Sequence, residues 1–139
     1  MTTNAFQIAV MAGDGIGPEV MDACLHVVNA AIEKVGGLGL RFIDAPGGAQ
    51  HYRDHGTDLP DSSFEIAKNA DAILFGAMGL PDVRKTDGTE INPQLDLRFG
   101  LELYAGVRPV RVLPGAPTPL KDPRAADIDL VLIRENTEG

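Results

Sequence analysis

Two arginines stand ten residues apart in an apolar stretch of the chain, at Arg98 and Arg108. A third, Arg134, closes the apolar run D-L-V-L-I-R. A guanidinium among apolar neighbours requires an anionic partner, because an unpaired charge is costly to remove from water. The guanidinium fork matches a carboxylate with two hydrogen bonds, so one hypothesis is a clamp for a small polycarboxylate. The alternative hypothesis is that the arginines form structural ion pairs with some of the 20 acidic residues. The spacing by itself favours this alternative.

The composition limits the classes of function that these arginines can serve. The 139 residues are 44% hydrophobic and 23% charged, which is typical of a folded globular domain. A formal net charge of −8 argues against nucleic acid or an anionic membrane as a partner. Cys24 is the only cysteine, which excludes a disulfide framework and a cysteine metal site within one chain. The single cysteine, the lack of a basic leader and the absence of a membrane-length apolar run predict a cytoplasmic protein.

Alternating strand and helix patterns must position the arginines. Short apolar runs and helical spacing predict strands at residues 5–12, 40–45 and 72–76 and helices at 19–35, 49–54 and 61–69. This β-α-β-α-β alternation predicts an α/β fold with a parallel-rich sheet flanked by helices. Beyond it we predict a loop at 77–91, a helix at 93–104, a strand at 106–113, a proline-rich connector at 114–123 and a last strand at 128–133.

Two glycine-rich turns follow predicted strands. G-D-G-I-G at residues 13–17 can bring backbone N–H groups against phosphate or ribose oxygens. Its spacing is not the G-x-G-x-x-G fingerprint, which disfavours a plain Rossmann oxidoreductase and leaves a tight turn without a ligand as the alternative. G-A-M-G at residues 76–79 lies where open parallel sheets bind ligands, although a plain βα turn has the same composition.

A candidate pair of metal ligands lies elsewhere, at His51 and His55, which are four residues apart. Histidines at that spacing share a helix face, as metal ligands do. The polar neighbours Arg53 and Asp54 favour an exposed helix instead.

Three motifs taken together resemble the β-decarboxylating dehydrogenases, the family of isocitrate, 3-isopropylmalate and tartrate dehydrogenases. They are G-D-G-I-G-P-E-V, L-D-L-R-F-G-L-E-L-Y-A-G-V-R-P-V-R and L-I-R-E-N-T-E-G, and the resemblance covers the whole chain. It implies an isopropylmalate-dehydrogenase-like α/β fold, with the N-terminal part of a first, cofactor-side domain at residues 1–104 and the start of a second at 105–139. Because the chain ends on E-N-T-E-G directly after a predicted strand, we expect the fold to be incomplete as given.

The resemblance also implies a reaction and a site. Members of the family oxidise the hydroxyl of a malate-type acid with NAD or NADP and decarboxylate the product with the help of Mg²⁺ or Mn²⁺. The expected partners are therefore a small polycarboxylate substrate and, for the full-length protein, a second copy in a homodimer. The residues that match the family's substrate-carboxylate arginines are Arg98, Arg108 and Arg134. Those that match its cofactor side are Gly15 and Ile16, and Gly76, Ala77, Met78 and Gly79.

The same resemblance places the family's tyrosine, lysine and metal-binding aspartates beyond Gly139. It therefore implies no catalytic or metal-binding residue within this chain, and no turnover by residues 1–139 alone. A self-contained, non-catalytic anion- or nucleotide-binding α/β domain is the competing class of function.

The family's substituent-facing position lies four residues before the first arginine, and here it is Gln94. Leucine at that position suits an isopropyl group, whereas a buried amide that faced an isopropyl group would lose its hydrogen-bond partners. Gln94 therefore favours tartrate, D-malate or another polar acid over 3-isopropylmalate.

Overall fold

The first strand, β1 (Ala5–Gly13), is the centre of a three-stranded parallel sheet in the order β2-β1-β3. Its neighbours are β2 (Gly39–Asp44) and β3 (Ala72–Ala77), both parallel to it. The computed structural model describes residues 5–136. Ala9, Val10 and Met11 of β1 are buried because the strand is central in the sheet and helices pack against it. The predicted parallel sheet is confirmed.

Three helices connect these strands: α1 (Gly17–Val35), α2 (Ala49–His55) and α3 (Asp61–Asn69). Proline in the first turn suits the start of α1, where a missing N–H costs no hydrogen bond. The helix ends at Gly36, whose N–H bonds to the Ile32 carbonyl. On α3 the fully buried Ser63 hydroxyl donates to the Pro46 carbonyl at 2.6 Å, which ties this helix to the loop before α2. The whole arrangement is contained in a first compact unit, residues 1–97.

The helix α4 (Pro93–Gly100) is shorter than the sequence predicts. We expected it to run to residue 104, because apolar spacing continues to that point, but it ends at Gly100. The N–H of Leu103 bonds to the Arg98 carbonyl at 2.8 Å and that of Glu102 to the Phe99 carbonyl at 3.2 Å. With Glu102 left-handed at φ 52°, this is a Schellman ending, which turns the chain away from the helix axis.

The second compact unit, residues 98–139, contains a two-stranded antiparallel sheet. Its strands are β4 (Ala105–Arg111) and β5 (Asp129–Glu135), and a 3-10 helix (Pro123–Asp127) precedes β5. The E-N-T-E-G motif is only partly visible, because residues 137–139 lie outside the described part of the chain. Across residues 5–136, none of the helices has the length and apolar character needed to span a bilayer.

Candidate functional site

One face of the β4–β5 sheet carries two of the three predicted substrate arginines. In the register of the sheet Arg108 pairs with Leu132, and Arg134 pairs with Gly106. Directly paired residues of an antiparallel sheet share a face, and so do residues two apart on one strand. We call this surface the arginine face, and its members are Gly106, Arg108, Val110, Leu130, Leu132 and Arg134.

Arg108 and Arg134 are diagonal neighbours on the arginine face, at a spacing of about 7–8 Å for such positions. Both side chains are exposed, so water weakens their mutual repulsion, and an anion bound between them would be attracted to both charges. The sheet positions of this face include no carboxylate. Among the described residues, neither guanidinium makes an ion pair. The arginine face therefore presents two cations without a protein counter-ion from residues 5–136.

The opposite face of the same sheet carries an ion pair between its two strands. Arg111 and Asp129 are directly paired across the strands, and their side chains approach to 3.5 Å. Both side chains are exposed, so the pair contributes little to stability. Arg111 and Arg108 lie on one strand in the same unit, but within residues 5–136 only Arg111 makes an ion pair. Structural ion pairing with a described residue therefore does not account for Arg108, whose side chain is exposed.

Gly106 leaves space opposite Arg134. A Cβ at this position would lie 3.3 Å from the Arg134 carbonyl oxygen and from the Asn136 Nδ2 atom. The Asn136 side-chain amide is itself held, because its Nδ2 donates to the Leu103 carbonyl at 3.3 Å, and the backbone N–H of the same residue bonds to the Tyr104 carbonyl at 2.9 Å. Glycine at position 106 therefore lets the Asn136 side-chain amide pack closely against the backbone at the end of the sheet.

The third arginine and the predicted substituent-facing residue are one turn apart on α4. Arg98 is half-buried and makes no ion pair with a described residue. The half-buried Gln94 donates from Nε2 to the Asn92 Oδ1 at 2.8 Å. Its Oε1 is buried and has no hydrogen-bond partner among the described residues. An unpartnered buried acceptor costs about 1–3 kcal/mol, so this amide gains energy from any donor it can reach.

Net charge is divided unevenly between the two units. Residues 98–139 contain six lysines and arginines and six acidic residues, whereas residues 1–97 contain six and fourteen. The whole formal charge of −8 therefore belongs to the first unit. The second unit is neutral overall, so an anion that binds at its arginines meets no general repulsion from the same unit.

The predicted cofactor-side residues of the first unit lie at the carboxyl edge of the parallel sheet. Gly15 is left-handed at φ 58°, and a Cβ there would have only the Leu80 Cδ2 atom nearby, at 3.8 Å. Ile16 is 68% exposed, which is unusual for a large apolar side chain. Open backbone beside an exposed apolar group is suited to contact with a ring or ribose.

Gly76 and Ala77 pack closely against the end of β1 and the turn that follows it. A Cβ on Gly76 would lie 2.1 Å from the Ala12 carbonyl oxygen, and the Ala77 carbonyl accepts the Asp14 N–H at 2.7 Å. Met78 and Gly79, which follow, border open space instead. A cleft of about 220 Å³ is lined by Met78, Gly79, Leu80, Pro81, Val83, Arg84, Glu90, Ile91 and Asn92. A second, of about 420 Å³, is lined by Gly13, Asp14, Gly15, Pro18, Gln50, Arg53, Leu80, Pro81, Asp82 and Val83.

Asp14 is a residue that the sequence analysis did not single out. It is only 3% exposed, and its carboxylate accepts three backbone N–H groups, from Ala49 at 2.7 Å and from Gln50 and Gly79 at 2.8 Å. The one available signal was an acidic residue between two glycines in a turn after a buried strand. Its partners are 35, 36 and 65 residues away, so local sequence could not identify them.

The loop between β3 and α4 is fastened by Lys85. Its Nζ lies 3.0 Å from the Asp58 Oδ2 atom, and the Asp58 side chain is only 11% exposed. The hydrogen bond to this carboxylate raises the pKa of Lys85, against the opposing effect of burial, and the charges of Asp58, Asp96 and Asp87 act in the same direction as the hydrogen bond. A short turn closes the loop, because the Lys85 N–H bonds to the Thr89 carbonyl at 2.9 Å.

We expect Lys85→Met to lower the free energy of unfolding by about 1–2 kcal/mol, because it leaves the Asp58 carboxylate without its counter-ion. A raised lysine pKa means that the pair stabilises the fold fully below pH 10.5 and loses this effect as pH rises through the folded-state pKa. Urea unfolding at pH 7 and above pH 11 measures both effects. The exposed Lys121, substituted likewise, is the control, and equal losses for the two variants at pH 7 would contradict the prediction.

The described residues offer no metal centre. Within residues 5–136, no three histidine, cysteine, aspartate or glutamate side chains are grouped so that they could hold a metal ion. The rings of His51 and His55 are 4.5 Å apart, and His51 Nδ1 lies 2.7 Å from the Thr57 carbonyl oxygen. These two histidines therefore form a local contact on α2.

Comparison with known proteins yields one family. A family model described as isocitrate/isopropylmalate dehydrogenase matches residues 7–139. A probable tartrate dehydrogenase/decarboxylase from Agrobacterium vitis is 38% identical over 134 residues, which cover 96% of this chain and 37% of the relative. The 3-isopropylmalate dehydrogenase of Thermobifida fusca is 41% identical, with 100% of this chain and 39% of the relative covered. The D-malate dehydrogenase [decarboxylating] of Escherichia coli is 39% identical, with 96% and 37% covered.

A solved structure agrees with these sequence matches. Isocitrate dehydrogenase from Methylococcus capsulatus has a TM-score of 0.74 at 30% identity, covering 96% of this chain and 35% of that protein. The chain thus spans little more than a third of the length of the relatives that it matches.

Proposed function

Because the chain belongs to the isocitrate/isopropylmalate dehydrogenase family, we propose that it contributes the substrate-carboxylate clamp and part of the cofactor side of a dehydrogenase. The full-length gene product oxidises and decarboxylates a malate-type 2-hydroxy acid with NAD or NADP and a divalent metal. In this proposal residues 1–104 begin the cofactor-side domain and residues 105–139 begin the second domain. The functional assembly is a homodimer.

The single observation that carries this proposal is the arginine face. Arg108 and Arg134 share one face of the β4–β5 sheet at diagonal positions, and neither has an acidic partner among the described residues. A substrate with two or three carboxylates supplies the counter-charge, and each guanidinium can bind one carboxylate through two hydrogen bonds. Arg98, half-buried at the end of α4, is the third member of the clamp.

The cofactor side is proposed at the carboxyl edge of the parallel sheet. Gly15 and Ile16 offer open backbone and an exposed apolar side chain, and Met78 and Gly79 line an adjoining cleft. These features fit a dinucleotide, with Gly76 and Ala77 holding the loop against β1. When bound, the nicotinamide supplies the hydride acceptor for alcohol oxidation.

The residues of this chain act by binding and orientation. The guanidiniums fix the carboxylates so that the hydroxyl-bearing carbon keeps one orientation. No described group of side chains fits a divalent metal, so we derive no step through a metal on this chain. We likewise assign no proton transfer to residues 5–136.

Gln94 is proposed to read the substituent on the malate core. Its Nε2 is held by Asn92, whereas its Oε1 has no partner among the described residues. A substrate hydroxyl can donate to this oxygen once the side chain turns towards it, but an isopropyl group cannot. The amide therefore favours a hydroxylated or unsubstituted acid such as tartrate or D-malate over 3-isopropylmalate.

We expect Gln94→Leu in the full-length gene product to raise the ratio of kcat/KM for 3-isopropylmalate to that for D-malate by about tenfold or more. Beside an isopropyl group the Gln94 amide has no hydrogen-bond partner. The substitution replaces this amide with a side chain that makes apolar contact with the isopropyl group. Initial rates with both acids measure the ratio. The exposed neighbour Leu95, changed to glutamine, is the control, and an unchanged ratio in Gln94→Leu would show that this position does not read the substituent.

The proposed function is tested by a panel of four acids: tartrate, D-malate, 3-isopropylmalate and isocitrate. Each is offered to the full-length gene product with NAD or NADP, first after chelation and then with Mg²⁺ or Mn²⁺ restored. We expect metal-dependent formation of NADH or NADPH with at least one acid, and highest activity with a polar one. If the protein binds these acids but reduces neither dinucleotide under any condition, a non-catalytic anion-binding domain becomes the better account.

A further inference from the structure

The buried Asp14 carboxylate connects three separate segments of the first unit. Its Oδ2 accepts the N–H groups of Ala49 and Gly79, and its Oδ1 accepts that of Gln50. Its own backbone N–H bonds to the Ala77 carbonyl, and its carbonyl accepts the Gly17 N–H at 2.8 Å. One residue thus joins the turn after β1, the start of α2 and the loop after β3.

The protein backbone is shaped to hold this carboxylate. Gly48 is left-handed at φ 113°, and a Cβ there would lie 2.4 Å from the Asp14 Oδ2 atom. The Gly48 N–H is occupied by the Asp58 carbonyl at 2.8 Å, which holds the glycine in place. The first N–H groups of α2 therefore bind an internal anion, and they are not free to bind an external phosphate.

The position of Asp14 relates it to the cofactor side. It is the residue before Gly15, and it holds the N–H of Gly79, so it fixes the two loops proposed to contact the dinucleotide. It also borders the larger cleft, of about 420 Å³, together with Gly15. A rigid link between two ligand-contacting loops lowers the entropy that binding must remove.

We propose that Asp14 is a positioning residue for the dinucleotide: its carboxylate holds the Gly15–Ile16 turn and the Met78–Gly79 loop in one fixed arrangement. This inference rests on the proposed function, because it assumes that these two loops contact NAD or NADP. Asp14 does not contact the reacting atoms. It acts through the backbone of Gly79 and of its own turn.

Asp14→Asn in the full-length gene product tests the inference. Both carboxylate oxygens accept N–H groups, so either orientation of an asparagine amide places its NH₂ group against a donor. Fluorescence titration with NADH, or with NADPH if the wild type prefers it, gives the Kd directly. We expect the Kd to rise about tenfold or more, which corresponds to the loss of one charge-assisted hydrogen bond. The KM for the hydroxy acid is expected to change by less than about threefold, because the arginines are untouched.

Asp71→Asn is the matched control. The Asp71 carboxylate also accepts a distant backbone N–H, from Gln7 at 2.8 Å, but it lies at the amino edge of the sheet. We expect it to leave the dinucleotide Kd unchanged. An unchanged Kd in Asp14→Asn, or equal increases in the Kd for dinucleotide and the KM for substrate, would overturn the inference.

A second variant covers the case in which Asp14→Asn does not fold. Replacing Ala49 by lactic acid, an amide-to-ester substitution, removes one N–H donor to Asp14 at the first position of α2 and adds no side-chain bulk. We expect about a threefold rise in the dinucleotide Kd, since two of the three hydrogen bonds are kept. No rise in this variant would overturn the inference. A wild-type protein that binds neither NADH nor NADPH would overturn the proposed function, and the inference with it.

Discussion

Replacing Arg108 by glutamine in the full-length gene product is expected to lower kcat/KM for the preferred hydroxy acid by about a hundredfold or more. The substitution removes the guanidinium but keeps a polar side chain of similar reach. Removal of one member of a desolvated, hydrogen-bonded charge pair costs about 2–5 kcal/mol, because the other member loses its counter-charge. Here the other member is a substrate carboxylate. Steady-state rates over a range of substrate concentrations measure the loss.

Arg111→Gln is the matched control for this experiment. Arg111 lies on β4 like Arg108, but it faces the opposite side of the sheet and has an exposed partner, Asp129. Its loss should change kcat/KM by less than about threefold, since exposed ion pairs contribute little. Arg108→Lys should give an intermediate value, because lysine keeps the charge and loses the fork. Similar losses for the two glutamine variants would show that the arginine face is not the substrate site.

Gly13→Ala is expected to prevent folding, or to lower the free energy of unfolding by more than about 4 kcal/mol. A Cβ at Gly13 would lie 1.8 Å from the Ala77 carbonyl oxygen, and the residue is left-handed at φ 83°. The carbonyl cannot move freely, because it accepts the Asp14 N–H. Urea unfolding, or the yield of folded protein when unfolding is not measurable, provides the test.

Gly36→Ala measures how much an unfavourable backbone conformation alone lowers the free energy of unfolding, without the contribution of a close contact. Gly36 is also left-handed, at φ 68°, but nothing lies within 4 Å of a Cβ there. Its substitution should cost about 1–3 kcal/mol, because a φ of 68° with a ψ of 167° is a conformation that alanine adopts only with strain. If Gly13→Ala were no worse than Gly36→Ala, the contact between the ends of β1 and β3 would be looser than we describe.

Local patterns were sufficient to predict most of the first unit. Helical spacing predicted a helix at residues 19–35, and α1 covers Gly17–Val35. A short apolar run predicted a strand at 72–76, and β3 covers Ala72–Ala77. These elements bury one stripe or run of apolar side chains, and that burial determines both the sequence pattern and the structure.

Features that depend on distant residues, or on an unusual backbone conformation, could not be predicted in the same way. Asp14 draws its three hydrogen bonds from segments more than thirty residues away. The ending of α4 depends on a left-handed Glu102, which glycine would have signalled and glutamate does not. Arg108 and Arg134 share a face only because of the β4–β5 register, and no local pattern determines that register across the long connector between the strands.

The central claim, that these arginines serve an oxidative decarboxylation, is tested most directly by the stoichiometry of the products. The full-length gene product is supplied with its preferred hydroxy acid, labelled with carbon-14 in the carboxylate that would be lost, and with NAD or NADP and Mg²⁺ or Mn²⁺. The account predicts one labelled CO₂ for each reduced dinucleotide, and a parallel fall in both when Arg108 is replaced by glutamine. Reduced dinucleotide formed without CO₂, or formed at the wild-type rate by Arg108→Gln, would contradict it.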